Sequence, residues 1–530
     1  MDPGNSFHEH RVVRLLLRWM VPAAVILLAA ASSGDSVGSE PTTSTGVQVT
    51  MRVPFVRESI DEIRALAPLR ERTVPENRAI PFHRIPRRSG TTGHAPLPFA
   101  APGLAAPFLA SSPAPSAPVL DSSFAGLGNP PHSEGDLTPP DTMGAAGPNH
   151  LVSLLNSDFG VFDKTTGAVR QKISLESFWK GGTIGTAAGQ PANFPFDTKV
   201  LYDPSSDRFF AVTLGGTGSP DSWILVAASA TPDPTGSWNK WAIDADLDNN
   251  VQQFNNWADF PGFGLDGNNL YVSTNMFSNS DSFQYGKVWV VPKAQLLSLS
   301  ATANITWTEL RDPPGSSFNM QPAHTFGAAP AEYFLFEGSS SQLLMARIDN
   351  TSGTPVWHAP TGVNVAAYNS SDRLPGAPQL GLGADNTIDT TDTRLLNVVY
   401  RNGSLWTVQT VQSPATTKTE VAWYQINPDT GAVPTQGRIS DPARWYYYPS
   451  IGVNRDNIAA IGFSGSSPTE HAGGYYTIIR QPDGAADPVS LLKAGEAPYY
   501  KTGKTLGIPG GGTENRWGIT APRWSIRPTT

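Results

Sequence analysis

The sequence predicts an all-β protein, a β-propeller of six to seven four-stranded blades. Its clearest unit is residues 197–243, where four short strands rich in β-branched and aromatic residues alternate with turns of Gly, Pro, Asp and Ser. Helical periodicity is nearly absent, and 50 glycines and 48 prolines among 530 residues are typical of many short strands joined by tight turns. Such a sheet is apolar on both faces, and copies bury those faces by stacking radially.

The same frame of strand, turn and strand recurs along the chain at intervals typical of propeller blades. The six frames begin at Met143, Lys199, Gly262, His324, Asn397 and Ser450. Two further hairpins, which begin at Val161 and Gln425, share the segment TGAV after an Asp-containing turn and are predicted to be outer-strand pairs. The propeller is therefore expected to occupy residues 119–518.

Residues 1–31 have the pattern of a signal peptide. Arg11, Arg14 and Arg18 precede an apolar run that ends in three alanines and is too short to span a bilayer comfortably. The alternative is a signal anchor. With cleavage, the mature chain is expected to be secreted, extracellular or periplasmic, without a membrane span.

Residues 32–118 are rich in Pro, Ser, Thr and Ala and lack sustained periodicity. This composition predicts a disordered linker, with a polyproline-like spacer before the propeller. One short helix is possible over residues 58–69, because Ile60 and Ile63 fall on one helical face. Pro68 is expected to stop it.

The C-terminal residues 519–530 have no partner frame. If one nucleotide were missing after the codon of Gly518, the following bases, with suitable synonymous codons, would encode in the shifted frame a strand sequence that resembles residues 199–207. We therefore expect a last blade truncated by a frameshift, the alternative being a naturally irregular tail. An unclosed ring would leave apolar sheet faces in water and favour instability or association.

Composition excludes several classes of function. The chain has no cysteine, so disulfides and thiolate metal sites are impossible. Its net charge of -8 includes no basic run in the folded part, which argues against nucleic-acid binding. The nine histidines show no zinc spacing, and no P-loop, dinucleotide fingerprint or GxSxG motif occurs.

Several segments resemble the repeated text of a group of secreted bacterial β-propellers, mostly uncharacterised, related in shape to BNR/sialidase-like repeats. They are PPDTMGAAGPNHLVSLLN, KVLYDPSSDRFFAVTL, WADFPGFGLDGNNLYVSTNMF, YYPSIGVNRDNIAAIGFSGSS and NRWG. The resemblance covers residues 121–518 and implies a propeller fold without indicating an activity. In that group, text similar to the restored C-terminal strand follows NRWG.

The sialidase resemblance extends to two motifs. Residues 231–238 form a degenerate Asp-box, a structural turn in which Trp238 plugs the sheet. Sialidase catalysis resembles a different constellation, with an Arg-Ile-Pro strand, two further arginines, a Tyr-Glu pair and an Asp. Arg84-Ile85-Pro86 matches the first part, but it lies in the predicted linker, which favours coincidence.

Three carboxylates at alternate positions, Asp244, Asp246 and Asp248, match the first, third and fifth ligands of a calcium loop. Asn249 replaces the central glycine and Asn255 the twelfth ligand, so a solvated loop between blades is the main alternative. A second acidic cluster is weaker and consists of Asp385, Asp389 and Asp392.

Polar residues recur at the inner frames, where they are expected to form structural hydrogen bonds. They are His150, Asn156, Asp259, Asn275 and His324. Aromatic side chains at 445–448, 475–476 and 499–500 are expected to be core, with a sugar- or peptide-binding platform as the alternative.

The sequence favours an exported propeller that binds an extracellular glycan or protein at one mouth of its ring, with no catalytic residue evident. The alternatives are a sialidase-like glycoside hydrolase and a structural module of the cell surface. An enzyme of that class needs carboxylates in contrasting environments at one rim, whereas a binding module needs only aromatic and amide groups.

Overall fold

The computed structural model describes residues 43–70, 78–79, 120, 122–128, 137–179, 195–248, 251–252, 255–312, 317–349, 351–369, 371, 373–381, 387–480, 484–499 and 515–516. All of them belong to one unit, Pro41–Thr530. The predicted signal peptide, the C-terminal residues 519–530 and much of the predicted linker lie outside the described residues.

The first elements precede the propeller. They are strands β1 (Thr43–Thr45), β2 (Val47–Arg52) and β3 (Phe55–Ser59), helix α1 (Ile60–Arg70), and the short parallel pair β4 (Arg78–Ala79) and β5 (Leu137–Thr138). We call β1 to β3, residues 43–59, the N-terminal strap.

In the part of the chain that the structure describes, six groups of four antiparallel strands follow, here called blades 1 to 6. Blade 1 contains β6 (Met143–Ala146), β7 (His150–Leu154), β8 (Asp158–Asp163) and β9 (Val169–Ser174), followed by α2 (Leu175–Trp179). Blade 2 contains β10 (Pro195–Asp203), β11 (Arg208–Gly215), β12 (Trp223–Ser229) and β13 (Ser237–Asp244), followed by the hairpin β14 (Leu247–Asp248) and β15 (Val251–Gln252). Blade 3 contains β16 (Asn256–Leu265), β17 (Asn269–Ser278), β18 (Phe283–Pro292), α3 (Lys293–Leu297) and β19 (Asn304–Arg311).

The remaining three blades repeat this arrangement. Blade 4 contains β20 (Gln321–Phe326), β21 (Glu332–Ser339), β22 (Gln342–Asp349) and β23 (Val356–Asn364), followed by β24 (Ile388–Asp389). Blade 5 contains β25 (Leu395–Arg401), β26 (Ser404–Gln412), β27 (Thr419–Ile426) and β28 (Thr435–Ile439). Blade 6 contains β29 (Trp445–Val453), β30 (Ala459–Ser467), β31 (Glu470–Ile479) and β32 (Ser490–Lys493), and β33 (Asn515–Arg516) pairs with β24.

The blades form a β-propeller, as predicted. The first strand of each blade packs on the first strand of the next, from β6 to β29. Two of these contacts, β16 with β20 and β20 with β25, are parallel strand pairs. The inner strands therefore run in the same direction, and their beginnings lie at the same mouth of the ring. Each predicted frame coincides with the first two strands of a blade, and the two TGAV hairpins are third and fourth strands.

Aromatic side chains fill the seams between blades. Trp238 is fully buried, and its ring packs edge-on against Phe159 and Phe178 beside blade 1. Its indole N–H donates to the carbonyl of Pro234 at 3.0 Å, so the Asp-box-like turn is structural, as expected. Tyr447 of blade 6 belongs to the same core cluster as residues of blades 1 and 2.

The prediction of a disordered linker is wrong over residues 43–70. The strap pairs with the outer strands of three blades, β1 with β23, β2 with β19 and β3 with β13. A fifth strand at a sheet edge needs backbone hydrogen bonds and few buried side chains, so it leaves little periodicity in the sequence. Val49 and Val53 are the buried apolar residues of the segment from β2 to β3.

The predicted short helix is confirmed as α1, although it runs to Arg70, past Pro68. Its start is a reciprocal cap, in which Ser59 Oγ accepts from the amide of Glu62 and Glu62 accepts from the amide of Ser59. Ile60 and Ile63 are fully buried in the cluster that also contains the side chains of α2. The N-terminal region thus reaches the outer edges of blades 4, 3 and 2 and then packs beside blade 1.

Candidate functional site

Non-glycine residues with a positive φ recur within or just before the first half of the inner strands. They include Asp141 (45°), Asp197 (51°), Phe260 (51°), Asn319 (58°), Thr391 (63°) and Tyr448 (51°). Asp and Asn adopt this left-handed conformation at modest cost, but for Phe and Tyr it is strained. Such strain is concentrated at functional sites of proteins, and here it marks the central mouth of the ring.

Three aspartates from adjacent blades converge at this mouth. Asp197 forms a hydrogen bond with Asp141 and interacts electrostatically with Asp259. Asp141 and Asp259 are buried, with 6% and 2% of their surfaces exposed, whereas Asp197 is partly exposed. We call Asp141, Asp197 and Asp259 the acid cluster.

Asp197 is the member of the acid cluster whose pKa is clearly raised. Burial, together with the neighbouring charges of Asp141 and Asp259, raises the pKa of Asp197 well above its usual value, and Lys199 opposes this shift. Among these carboxyl groups, Asp197 is therefore the one on which its surroundings favour a proton.

Phe260 lies between two cations beside the acid cluster. Its ring centroid is 4.5 Å from the guanidinium carbon of Arg394 and 5.5 Å from Nζ of Lys199. Arg394 is fully buried and donates to both oxygens of Asp392 at 2.7 Å. Burial alone would lower the pKa of Arg394, but Asp392 and Asp259 raise it, so this cation is permanent.

Polar side chains bind the left-handed residues across the seams between blades. Asn156 of blade 1 accepts from the amide of Asp197 at 2.8 Å, and its own amide donates to Asp141 at 3.0 Å. In the same way, Asn275 of blade 3 accepts from the amide of Asn319 at 2.8 Å. The positions of Asp197 and Asn319 are thus fixed by hydrogen bonds from the preceding blade.

No protein-family model matches the chain, and no curated protein matches its sequence. Solved structures match at low identity. A GH43 protein from Bacillus licheniformis is 9% identical over 57% of this chain and 59% of that chain, with a TM-score of 0.29. An endo-arabinase from Bacteroides thetaiotaomicron is 11% identical over 57% of this chain and 95% of that chain, with a TM-score of 0.30. The parainfluenza virus 5 hemagglutinin-neuraminidase is 8% identical over 67% of this chain and 88% of that chain, with a TM-score of 0.32.

TM-scores near 0.3 leave the function of this chain to be argued from its own side chains. Among the described residues, no helix is long and apolar enough to cross a membrane.

The polar residues expected at the inner frames have different roles. Asn156 and Asn275 form the predicted structural hydrogen bonds, and Asp259 belongs to the acid cluster. His150 lies away from the mouth, with Nε2 3.8 Å from Asp233. His324 packs its ring 4.1 Å from the ring of Phe326.

The three aspartates of the predicted calcium loop do not act as one set. Asp248 is bound by Lys287 at 2.9 Å and by Arg311 at 3.0 Å, cations from the neighbouring blade 3. Burial alone would raise the pKa of Asp248, but Lys287 and its other partners lower it. Asp244 accepts from the amide of Asp246, a local turn contact. Within the described residues, no three carboxylate or imidazole groups are placed to hold a metal, and calcium binding stays a prediction.

The other predicted groups have structural positions or lie outside the described residues. Asp392 forms an ion pair with Arg394, while Asp385 and Arg84 are not among the described residues. The aromatic rings of residues 446–448 are buried, as the core interpretation expects.

Sequence reasoning missed Asp141, Asp197 and Arg394. A weak signal exists in the dipeptide Asp-Thr. It occurs near the start of an inner strand at 141–142, 197–198 and 392–393, but it also occurs at 389–390 and, in an outer hairpin, at 429–430.

Proposed function

We propose that this protein is a glycoside hydrolase that uses the acid cluster at the mouth of its propeller. The observation that carries the proposal is the convergence of Asp141, Asp197 and Asp259, where burial and the two neighbouring carboxylates raise the pKa of Asp197. Hydrolysis of a glycosidic bond needs one carboxyl group as acid and one carboxylate as base, in contrasting environments. The strained backbone at Phe260 beside these groups supports the assignment.

The environments of the carboxyl groups suggest their roles. Asp197, partly exposed and protonated, donates its proton to the glycosidic oxygen as the C–O bond breaks. The carboxylate of Asp259 accepts a proton from the attacking water, whose oxygen bonds to the anomeric carbon. Asp141 keeps the proton on Asp197 through their hydrogen bond, and Arg394 balances the negative charge of Asp259.

The cations favour a neutral sugar as substrate. An acidic sugar needs free guanidinium groups for its carboxylate, and Arg394 beside the cluster is engaged in a bidentate pair with Asp392. The cluster itself carries an excess of carboxylates, which repel an anion. In place of the sialidase-like glycoside hydrolase considered from the sequence, the proposal is therefore a hydrolase of neutral glycans.

Activity of the full-length chain on a panel of nitrophenyl glycosides tests the proposal. The panel contains glucoside, galactoside, mannoside, xyloside and arabinofuranoside, each in both anomers, and a sialoside. We expect turnover of at least one neutral glycoside, and a loss of about 10²–10⁴-fold in kcat for Asp197→Asn. The matched control is Asp281→Asn, in an exposed turn with a positive φ that asparagine tolerates.

Absence of turnover on this panel and on neutral polysaccharides would overturn the proposal. Glycan or protein binding without hydrolysis would then favour the exported binding module expected from the sequence. Export itself is part of the proposal, and it is checked by N-terminal sequencing of the secreted chain.

A further inference from the structure

A pocket opens on blade 6, and none of its residues belongs to the acid cluster. It has a volume of about 310 Å³, within the lower range of small-ligand sites. Its walls include Asp441, Arg444, Tyr446, Tyr475 and Leu491. None of these residues takes part in the proposed hydrolysis.

A fixed guanidinium group forms part of the pocket wall. Arg444 donates to both oxygens of Glu470 at 2.6 Å and to Asp441 at 2.9 Å. Asp441 also accepts from the backbone amides of Ala443 and Arg444, which fixes the turn that carries the arginine. The side chain is therefore held in place before any ligand arrives.

The charges exclude several classes of ligand. One guanidinium group is shared by two carboxylates, and the hydrogen bond from Arg444 lowers the pKa of Glu470, so both acids stay ionised. The net negative charge disfavours anions such as phosphate. A metal cation would have to displace the guanidinium group from both of its partners.

The remaining chemistry suits a sugar ring. The carboxylate of Asp441 is an acceptor for hydroxyl groups, and the guanidinium group of Arg444 and the phenol groups of Tyr446 and Tyr475 are donors. Leu491 is 53% exposed at the rim and offers an apolar surface for the C–H face of a sugar. The side chains of Tyr446 and Tyr475 are buried, so the faces of their rings are not available for a sugar to stack on.

The pocket lies on the same face of the ring as the acid cluster and extends outward across blade 6, from Tyr446 in β29 to Leu491 in β32. Arg444 directly precedes β29, the inner strand of blade 6. Of the acid cluster, Asp141 precedes the inner strand of blade 1, and Asp197 and Asp259 lie in the first half of the inner strands of blades 2 and 3. Because the inner strands run in parallel, their beginnings share one mouth. A polymer lying across this mouth can contact both places.

We propose that the Arg444 pocket binds one sugar residue of a neutral glycan. Binding at the pocket stands independently of hydrolysis; the further conclusion, that the substrate is a polymer, rests on the proposed function. The pocket would then hold a distant unit of the chain that is cleaved at the acid cluster.

The binding test uses full-length Asp197→Asn protein on an array of xylan, arabinan, mannan, galactan and β-glucan oligosaccharides. We expect binding to at least one of them, and a loss of about tenfold or more in affinity for Leu491→Arg, which places a bulky cation at the rim. The matched control is Leu299→Arg, which alters an 83% exposed leucine outside the pocket. Equal binding by Leu491→Arg and the control, or no binding to any oligosaccharide, would overturn the pocket proposal.

A second readout separates the two proposals. In the wild-type background, Leu491→Arg is expected to raise KM on the bound polysaccharide severalfold and to leave kcat/KM on a nitrophenyl glycoside unchanged. Binding that depends on Leu491 without any hydrolysis would retain the pocket and reject the glycoside hydrolase. An unchanged KM on the polysaccharide would reject the polymer conclusion.

Discussion

The ammonium group of Lys240 lies 3.4 Å from the carboxylate of Glu58, and this ion pair joins blade 2 to the N-terminal strap. Lys240 is fully buried, and its ammonium also donates to the carbonyl of Phe178 and lies 4.3 Å from that ring. The side chain of Lys240 therefore connects the strap, the outer strand of blade 2 and helix α2 beside blade 1.

Glu58→Ala is expected to destabilise the protein by about 3–5 kcal/mol, because it leaves the ammonium group of Lys240 buried without its carboxylate partner. Urea denaturation followed by tryptophan fluorescence measures the change. The double variant Glu58→Ala, Lys240→Met should recover part of the loss, since it removes the buried charge as well. Equal stability of the wild type and Glu58→Ala would show that the ion pair does not hold the strap.

Asp141→Asn is expected to move the alkaline limb of the pH-rate profile to lower pH. Asp197 acts in its protonated form, so activity falls as pH rises through its pKa. Burial and the charge of Asp141 both raise that pKa, and the substitution removes the charge. The profile of kcat/KM on the best aryl glycoside measures the shift. An alkaline limb at the same pH in both proteins would contradict the role of Asp197 as acid.

Glu332→Gln is expected to stabilise the protein increasingly as pH rises. Glu332 of blade 4 is fully buried, and burial and Asp266 raise its pKa well above the usual value. A group with a raised pKa in the folded state contributes stability below its unfolded pKa and loses it as pH rises through the folded value. Melting temperatures at pH 5, 7 and 9 check this. A difference between the two proteins that stays constant with pH would be the contrary result.

Asp246→Asn is expected to raise the melting temperature above pH 7. Burial raises the pKa of Asp246 to about 7, with a further contribution from the charge of Asp244, although Ser219 and Ser222 act in the opposite direction. Its contribution is present at acidic pH and lost as pH rises through about 7, whereas the amide stays neutral. The control Asp248→Asn should be destabilising, because it weakens the pairing with Lys287 and Arg311.

Added calcium distinguishes a calcium site at Asp244, Asp246 and Asp248 from a solvated loop between blades. If the predicted calcium site exists, calcium at pH 8 will raise the melting temperature of the wild type and not of Asp246→Asn. An equal response of both proteins would remove the calcium prediction.

The blades were predictable because their signals are local. Alternating apolar residues and turn residues within each frame determine the strand pairs, and the repeat determines how the sheets stack. The strap was not predictable, since β2 gains its order from the edge of β19 and buries only Val49 among its apolar residues.

The acid cluster was hidden for a different reason. Asp141 and Asp197 are distant in sequence, and only the ring brings them into contact. The calcium loop shows the opposite error, because its spacing is local but Asp248 is bound by side chains of the next blade.

The strap has a consequence for biosynthesis. Its three strands leave the ribosome about 180–320 residues before their respective partners, β13, β19 and β23, have been made. At bacterial and eukaryotic elongation rates this interval lasts roughly 10–60 s, during which the segment has no edge to join. Docking of the whole strap therefore waits until blade 4 has been made, and the same delay would apply to a polypeptide that passes N-terminus first through a translocase.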